Sequence, residues 1–420
     1  MTAREVARRV LERIERDKAW ATPALDGELS RANLDDRDRR LASELVYGVL
    51  RHRTRIDRAL AAHADLKKTP PRVVIALRVA AYQLMFLDRV PPYAIVDDAV
   101  AAARDSGGPK LGGFANAVLR KIVSSKEPAF PAELRERIAV EFSLPGWIVE
   151  ELAAATDELE IRAAAFAMSA PLVARANRRR TTREALMELL ETAGVTTRAV
   201  DVPPGTPQAF AVDNLGDPGR SPSFIGGQWT VQDAGAQLVA HFAAPRAGMK
   251  ILDACAGVGG KATHLAELAD DAAHIDAADR STTKLELAAG TAQRLGLASL
   301  HRHVCDLTDP RAALATDYDL IVLDAPCTGL GVLRRHPDAK WRLIPDDVPR
   351  LARVQAELLD AVAPRLAPGG ALIYSVCTFT RAEGPDQALA FAARSGLRLV
   401  AEHRTWPPDA DAFYLARFER

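Results

Sequence analysis

From residue 3 to about residue 125, apolar residues recur three and four positions apart among charges of both signs. Val6, Val10, Leu11 and Ile14 form one such stripe, and Leu41, Leu45, Val49 and Leu50 form another. This is the spacing of one face of an α-helix. The stretch Val73–Leu87 is apolar almost throughout and stops at Pro91-Pro92, a strong breaker. A further helical run begins near Ala94 and ends at Gly107-Gly108-Pro109, and another follows over Phe114–Ile122. With no strand pattern among them, residues 1–127 are expected to form an all-helical domain of roughly five to seven helices.

Residues 128–222 read as a connector followed by a small α+β domain. Short helices lie between Pro128, Pro131 and Pro145-Gly146. Then come a strand at Leu172–Ala176, a helix at Thr182–Ala193, an extended Val195–Val202, and a Pro-, Gly- and Asp-rich loop to Pro222. Residues 223–420 change rhythm again. Short strand-like runs at Lys250–Ala254, His274–Ala278, Leu300–Val304, Asp319–Leu323 and Ala371–Ser375 alternate with helical patterns at Lys261–Ala269, Thr283–Leu295 and Val348–Leu366. Such alternation predicts a mostly parallel sheet with helices on both faces, a Rossmann-like α/β domain.

Charge adds a contrast between these regions. The 420 residues carry 55 Lys and Arg and 55 Asp and Glu, yet residues 1–130 hold 24 basic against 17 acidic residues, so a basic first third is cancelled by an acidic remainder. Asymmetry of that kind points to a polyanionic partner. No apolar run approaches the roughly 18 residues of a membrane span. The N-terminus, charged with both signs, lacks a secretory pattern. Four cysteines, Cys255, Cys305, Cys327 and Cys377, contain no CxxC pair, and a reduced, cytoplasmic protein is expected.

The chemistry gathers at strand ends. Asp253-Ala-Cys255-Ala256-Gly257-Val258-Gly259-Gly260-Lys261 lies between a strand and a helix, where glycines permit close approach of a ligand to free helix N–H groups. Asp279 ends the next strand, placed to accept ribose hydroxyls. Together they indicate a nucleoside-bearing cofactor. Lys261 is followed by Ala262, so a nucleoside triphosphate loop is excluded; the glycine pattern alone does not choose between a dinucleotide and S-adenosylmethionine. Asp324-Ala-Pro-Cys327 and Ser375-Val-Cys377-Thr378 each follow a strand, and in an open parallel sheet these ends face one crevice. Beside a methyl donor, a thiolate can add to carbon 6 of a pyrimidine, making carbon 5 nucleophilic, while a carboxyl near N3 stabilises the adduct.

These segments resemble the RNA cytosine-5 methyltransferases. The whole chain is similar to the bacterial branch that modifies 16S ribosomal RNA and carries a NusB-like helical domain. Tyr93–Val100 and Phe114–Arg120 resemble that helical domain, while Gln232–Ala234, the cofactor run, Asp324–Cys327, Arg335–Trp341 and Tyr374–Thr378 resemble the catalytic domain. The resemblance implies Cys377 as the nucleophile, Cys327 as the thiol that aids product release, and Asp324 beside the pyrimidine. It implies S-adenosylmethionine held by Cys255 to Lys261, Asp279, Asp306 and Asp324. It further implies ribosomal RNA of the small subunit as partner, free or partly assembled, with no metal, no membrane and a monomeric chain. A transfer RNA cytosine-5 methyltransferase and a non-catalytic RNA-binding assembly factor are the alternatives. Two positions depart from the family pattern: Gly257-Val258 replaces Ala-Pro, and Val376 replaces Thr. Two basic groups are candidates for RNA phosphates, one from Arg175 to Arg183 and one from Arg334 to Arg342. His301, His303 and Cys305 alternate on one strand but lack a fourth metal ligand.

Overall fold

Pro71, Pro92 and Pro109 each stand in the first turn of a helix, where a fixed φ and a missing N–H cost nothing. The breakers of the sequence pattern are thus also starters. The computed structural model describes residues 1–88, 90–309 and 311–420. They form two units, Met1–Ser169 with Leu333–Leu343, and Ala170–Val332 with Ile344–Arg420. Among the described residues no helix is long and apolar enough to cross a membrane.

Among the described residues seven helices lie between Ala3 and Ser124, and three short ones follow to Ala167. The first, Ala3–Asp17, opens with a capping box in which Thr2 and Glu5 satisfy each other's backbone N–H groups. Its Val6, Val10, Leu11 and Ile14 are buried, as the stripe requires. The helix Pro71–Phe86 is buried over most of its circumference, so its pattern is apolar all round.

Leu333–Leu343 packs into this helical unit, and most of its polar side chains are spent there. Lys340 Nζ donates to the Arg51 carbonyl at 2.8 Å, Trp341 Nε1 to that of Leu50 at 2.7 Å, and Arg51 to that of Arg334 at 3.0 Å. Asp338 accepts the Ala21 N–H at 2.9 Å. Arg334 and Lys340 are buried, and burial together with Arg51 drives the Lys340 pKa well below the ordinary lysine value. Their basic character therefore serves packing, not the phosphate contact expected from sequence. Arg342 lies over the Trp20 ring at 4.0 Å, a cation–π contact.

The second unit contains two sheets. The small one joins β1 (Leu172–Ala176), β2 (Thr196–Ala199), β3 (Ala209–Asp213) and β4 (Trp229–Val231) in the antiparallel order β2-β3-β1-β4. Strand β3 falls inside the segment expected to be loop. Phe210 and Val212 are buried there against Leu186 and Leu190 of the helix Arg183–Thr192.

The large sheet joins β5 (Lys250–Ala254), β6 (His274–Asp279), β7 (Leu300–Val304), β8 (Tyr318–Asp324), β9 (Leu366–Val376), β10 (Arg398–Arg404) and β11 (Tyr414–Glu419), in the order β10-β11-β9-β8-β5-β6-β7. Pairings among β5 to β9 are parallel, and β11 is antiparallel to both β9 and β10. Alternation divides each central strand between two cores. Leu320 and Val322 face one with Leu238 and Leu265, while Ile321 and Leu323 face the other with Leu359 and Phe391. Helices on both faces follow from that division.

The arginine cluster joins the small sheet to the large one. Arg175 is fully buried, with bonds of 2.8 and 3.1 Å to the Glu267 carboxylate and 3.1 Å to the Gly260 carbonyl. Arg179 and Arg180 donate to the carbonyls of Gly296 and Leu295 at the end of the helix Thr282–Leu295, where basic groups complement the helix dipole. Arg183 pairs with Asp201. Burial withdraws Arg175 from the phosphate surface expected of this cluster, while Arg178, Arg179 and Arg180 remain exposed. Glu267→Ala should cost about 3–5 kcal/mol, because an unpaired guanidinium would remain buried. Urea unfolding measures this, and a double Arg175→Met, Glu267→Leu variant should recover most of the loss.

Candidate active site

Strand β8 pairs with β9 so that Asp324 stands opposite Ser375. The Ser375 hydroxyl donates to Asp324 at 2.7 Å, and the other Asp324 oxygen accepts from Lys261 Nζ at 2.6 Å. The chain leaves both strand ends and brings Cys327 and Cys377 together, with the two sulfurs 3.4 Å apart. Gly331 donates its N–H to the Cys377 carbonyl at 3.0 Å. A Cβ at Gly331 would lie 1.9 Å from the Ala412 carbonyl oxygen, so only glycine permits that crossing. Val376 belongs to the hydrophobic core formed with Leu372 and Tyr374. Its alternation places it on the face opposite Ser375 and Cys377, so valine for the family's threonine removes no hydroxyl from the crevice.

The glycine run leaves β5 and turns tightly into the helix Gly260–Leu268. Gly257 and Gly259 have φ of +55° and +81°, a region glycine enters without strain. At Gly259 a Cβ would come within 2.6 Å of the Ala288 Cβ. Asp279 accepts the Gly257 N–H at 2.9 Å and the Ser281 N–H at 2.8 Å. The Gly257-Val258 replacement therefore leaves the loop pinned, with Val258 half exposed. No side chain caps the helix at Gly259, which leaves the Gly260 and Lys261 N–H groups facing the loop. Beneath the loop Asp253 is fully buried, and the Ala262 N–H of the same first turn is directed at its carboxylate without reaching an ordinary hydrogen-bond geometry. Asp306 lies two residues beyond β7, bonded to Thr308 and Arg280. His303 bonds Asp276 at 2.8 Å, and His301 stacks on His274 at 4.2 Å.

Family models match three segments of the chain: the NusB family over residues 1–124, a ferredoxin-like domain of RsmF/B-like methyltransferases over 144–214, and the 16S rRNA methyltransferase RsmB/F over 240–403. The probable ribosomal RNA small subunit methyltransferase B of Synechocystis is 35% identical over 414 residues, covering 97% of this chain and 90% of its own. The ribosomal RNA small subunit methyltransferase B of Vibrio cholerae is 36% identical over 382 residues, covering 88% and 85%. The chain belongs to the ribosomal RNA small subunit methyltransferase B family. It is an RNA methyltransferase. Among solved structures, PH0851 superposes with a TM-score of 0.82 at 23% identity over 99% of both chains. The NSun6 of Pyrococcus horikoshii gives 0.56 at 20% identity over 69% of this chain and 98% of its own. Both share the fold.

Within this family site the surroundings push two thiols toward the protonated form. Burial, then Asp324, Asp253 and Asp279, push Cys255 up to about 12. The hydrogen bond with Cys377, burial and the charges of Cys377, Glu383 and Asp324 raise Cys327 well above the ordinary thiol value. Both remain protonated at neutral pH. Lys261 is largely buried, which alone would favour loss of its proton. The adjacent Asp324, with Cys377 and Asp253 nearby, more than offsets this and raises its pKa, so a fixed positive charge stands beside Cys377.

Burial also pushes the Asp253 carboxyl up to about 7 from 3.8, with Lys261 acting in the opposite direction. Between those values the folded protein holds a proton that the unfolded chain has released. The resulting stability is complete below the unfolded value and is lost as pH rises through the folded one. Relative to Asp253→Asn, the native chain should lose on the order of a few kcal/mol from pH ~4 to pH ~7 and little beyond. Urea unfolding of both chains across that range checks this, and a difference independent of pH would contradict it.

Proposed function

We propose that this chain transfers a methyl group from S-adenosylmethionine to carbon 5 of a cytosine in 16S ribosomal RNA, through a covalent adduct with Cys377. The observation that carries the reading is the pair of sulfurs at 3.4 Å beside the Lys261–Asp324 pair. The cofactor is assigned to Cys255, Ala256, Gly257, Val258, Gly259, Gly260, Lys261, Asp279, Asp306 and Asp324. The glycine geometry, the available helix N–H groups and the carboxylates at the strand ends suit an adenosine and an amino acid carrying positive charge. When bound, the cofactor supplies an electrophilic methyl group on a sulfonium.

Cys377, which stands beside the Lys261 charge, adds through its sulfur to carbon 6 of the ring. Asp324, oriented by Ser375 and Lys261, faces the N3 side and stabilises the adduct. Carbon 5, now part of an enamine, accepts the methyl group. Transfer of the carbon 5 proton to water then expels Cys377 as a thiolate, and Cys327, a thiol 3.4 Å away, donates its S–H to the departing sulfur. A base in a duplex cannot reach such a crevice, so the cytosine is taken from a single strand or flipped. Residues 1–127 are assigned to RNA binding, 128–222 to the connector and 223–420 to catalysis, on ribosomal RNA in the cytoplasm. The ribosomal RNA substrate is supported by the names of the relatives, which cover most of the chain.

The roles of the two thiols are separable. With undermethylated small subunit RNA and the methyl donor, Cys327→Ala should accumulate a covalent protein–RNA complex resistant to denaturing gel electrophoresis. Cys377→Ala should form none. The reverse pattern would overturn the assignment, and transfer RNA run in parallel shows which RNA is modified.

A further inference from the structure

Glu383 has no solvent exposure, yet it lies on the polypeptide segment just after the second thiol. Four hydrogen bonds converge on its carboxylate. One oxygen accepts the Thr328 backbone N–H at 2.8 Å and Gln355 Nε2 at 3.0 Å. The other accepts the hydroxyls of Thr328 at 2.6 Å and Thr380 at 2.9 Å. Thr328 and Thr378 are also joined, oxygen to oxygen, at 3.0 Å. Since Thr328 gives its only hydroxyl proton to Glu383, Thr378 must be the donor in that contact.

Each threonine directly follows a thiol: Thr328 follows Cys327 and Thr378 follows Cys377. The chain of bonds from Thr378 through Thr328 to Glu383 therefore binds the two thiol-bearing loops to each other one residue from the sulfurs. Gln355 extends the grip, because its Nε2 also donates to the Pro326 carbonyl at 3.0 Å, and its Oε1 accepts from Tyr374 at 3.0 Å. A carboxylate suits this position because it accepts only. All four donors can be satisfied at once, which leaves the hydroxyls a single orientation. Burying a charge merely to start a helix would be a costly choice when a neutral cap suffices.

We propose that Glu383 is a positioning residue of the methyl transfer, gauging the gap between the Cys327 and Cys377 thiols by gripping the threonines that follow them. The role rests on the reading of those thiols as the reacting pair. Its measure is the spacing of two sulfurs, which can be probed without RNA. Phenylarsine oxide condenses with two adjacent thiols, forming two arsenic–sulfur bonds and releasing one water, and its affinity depends on how well the pair is set. In the full-length protein, Cys327→Ser should abolish tight binding, which identifies the pair. Glu383→Ala should weaken arsenical binding about tenfold or more and slow turnover about 100-fold at unchanged KM for RNA, the scale expected when reacting groups drift by an ångström. Glu383→Gln, isosteric and able to accept from the Thr328 N–H while the hydroxyls rotate, should restore arsenical affinity to within about threefold of the native value. Affinity for S-adenosylmethionine should change less than about threefold in each, since Glu383 makes no bond to the glycine run.

Arsenical affinity unchanged in Glu383→Ala would overturn the proposal, as would an equal loss of cofactor affinity, which would mark general collapse. Should the alanine chain not fold, Thr328→Val decides. A loss of about threefold or more in arsenical affinity supports the grip, and native affinity overturns it. A native chain that binds the arsenical through its thiol pair but forms no RNA adduct would refute the proposed reaction and leave the thiol gauge standing.

Discussion

Parallel pairing of β8 with β9 sets Asp324 against Ser375, and the rest of the site hangs on that register. Because side chains alternate with period two, a slip of one residue would turn Asp324 and Ser375 to opposite faces and carry the cysteines apart. The slip is prevented by two cores. Ile321 and Leu323 are required on one face and Leu320 and Val322 on the other, and neither core tolerates the exchange. Apolar packing thus fixes a polar geometry, setting Asp324 at the end of β8 within reach of Lys261 in the first turn of the helix Gly260–Leu268.

Buried charge is used repeatedly, each time with a different consequence. Arg175 is matched by Glu267 and fixes the helix that starts at the glycine run. Lys261 is matched by Asp324 and leaves a positive charge near Cys377. Lys340 donates to the Arg51 carbonyl and, buried beside the Arg51 charge, is pushed toward the neutral form. A buried ion pair is a weak source of net stability, but breaking one is severe. These pairs therefore hold position more than they add stability.

Much of this was legible in the sequence for a physical reason. Strands that end in a motif are short, apolar and bounded by Gly, Pro or Asp. Lys250–Ala254 is such a strand, with the same bounds in sequence and structure, and the stripe of Val6 to Ile14 lies inward as its period demands. What escaped was whatever depends on a partner far along the chain. Arg175 reads as one more charge in a basic run, and nothing local announces Glu267 beyond it. Glu383 stands alone between Ala382 and Gly384, with no periodicity to mark it as buried. Strand β10, Arg-Leu-Val-Ala-Glu-His-Arg, is largely half exposed and charged, so its pattern resembled no core strand. Strand β3 was hidden by the prolines around it. The candidate thiols, the carboxylate and the glycine run were visible because each couples a rare residue type to a strand end.

The reaction proposed for this site is methylation of carbon 5 of a cytosine in small subunit RNA by way of Cys377. Bisulfite sequencing of ribosomal RNA from cells with and without this protein tests it most directly, because a 5-methylcytosine resists conversion while an unmodified cytosine does not. A protected 16S position should become convertible when the protein is absent and be protected again when the native chain, but not Cys377→Ala, is restored. An unchanged pattern in 16S RNA, with protection lost only in transfer RNA or nowhere, would contradict it.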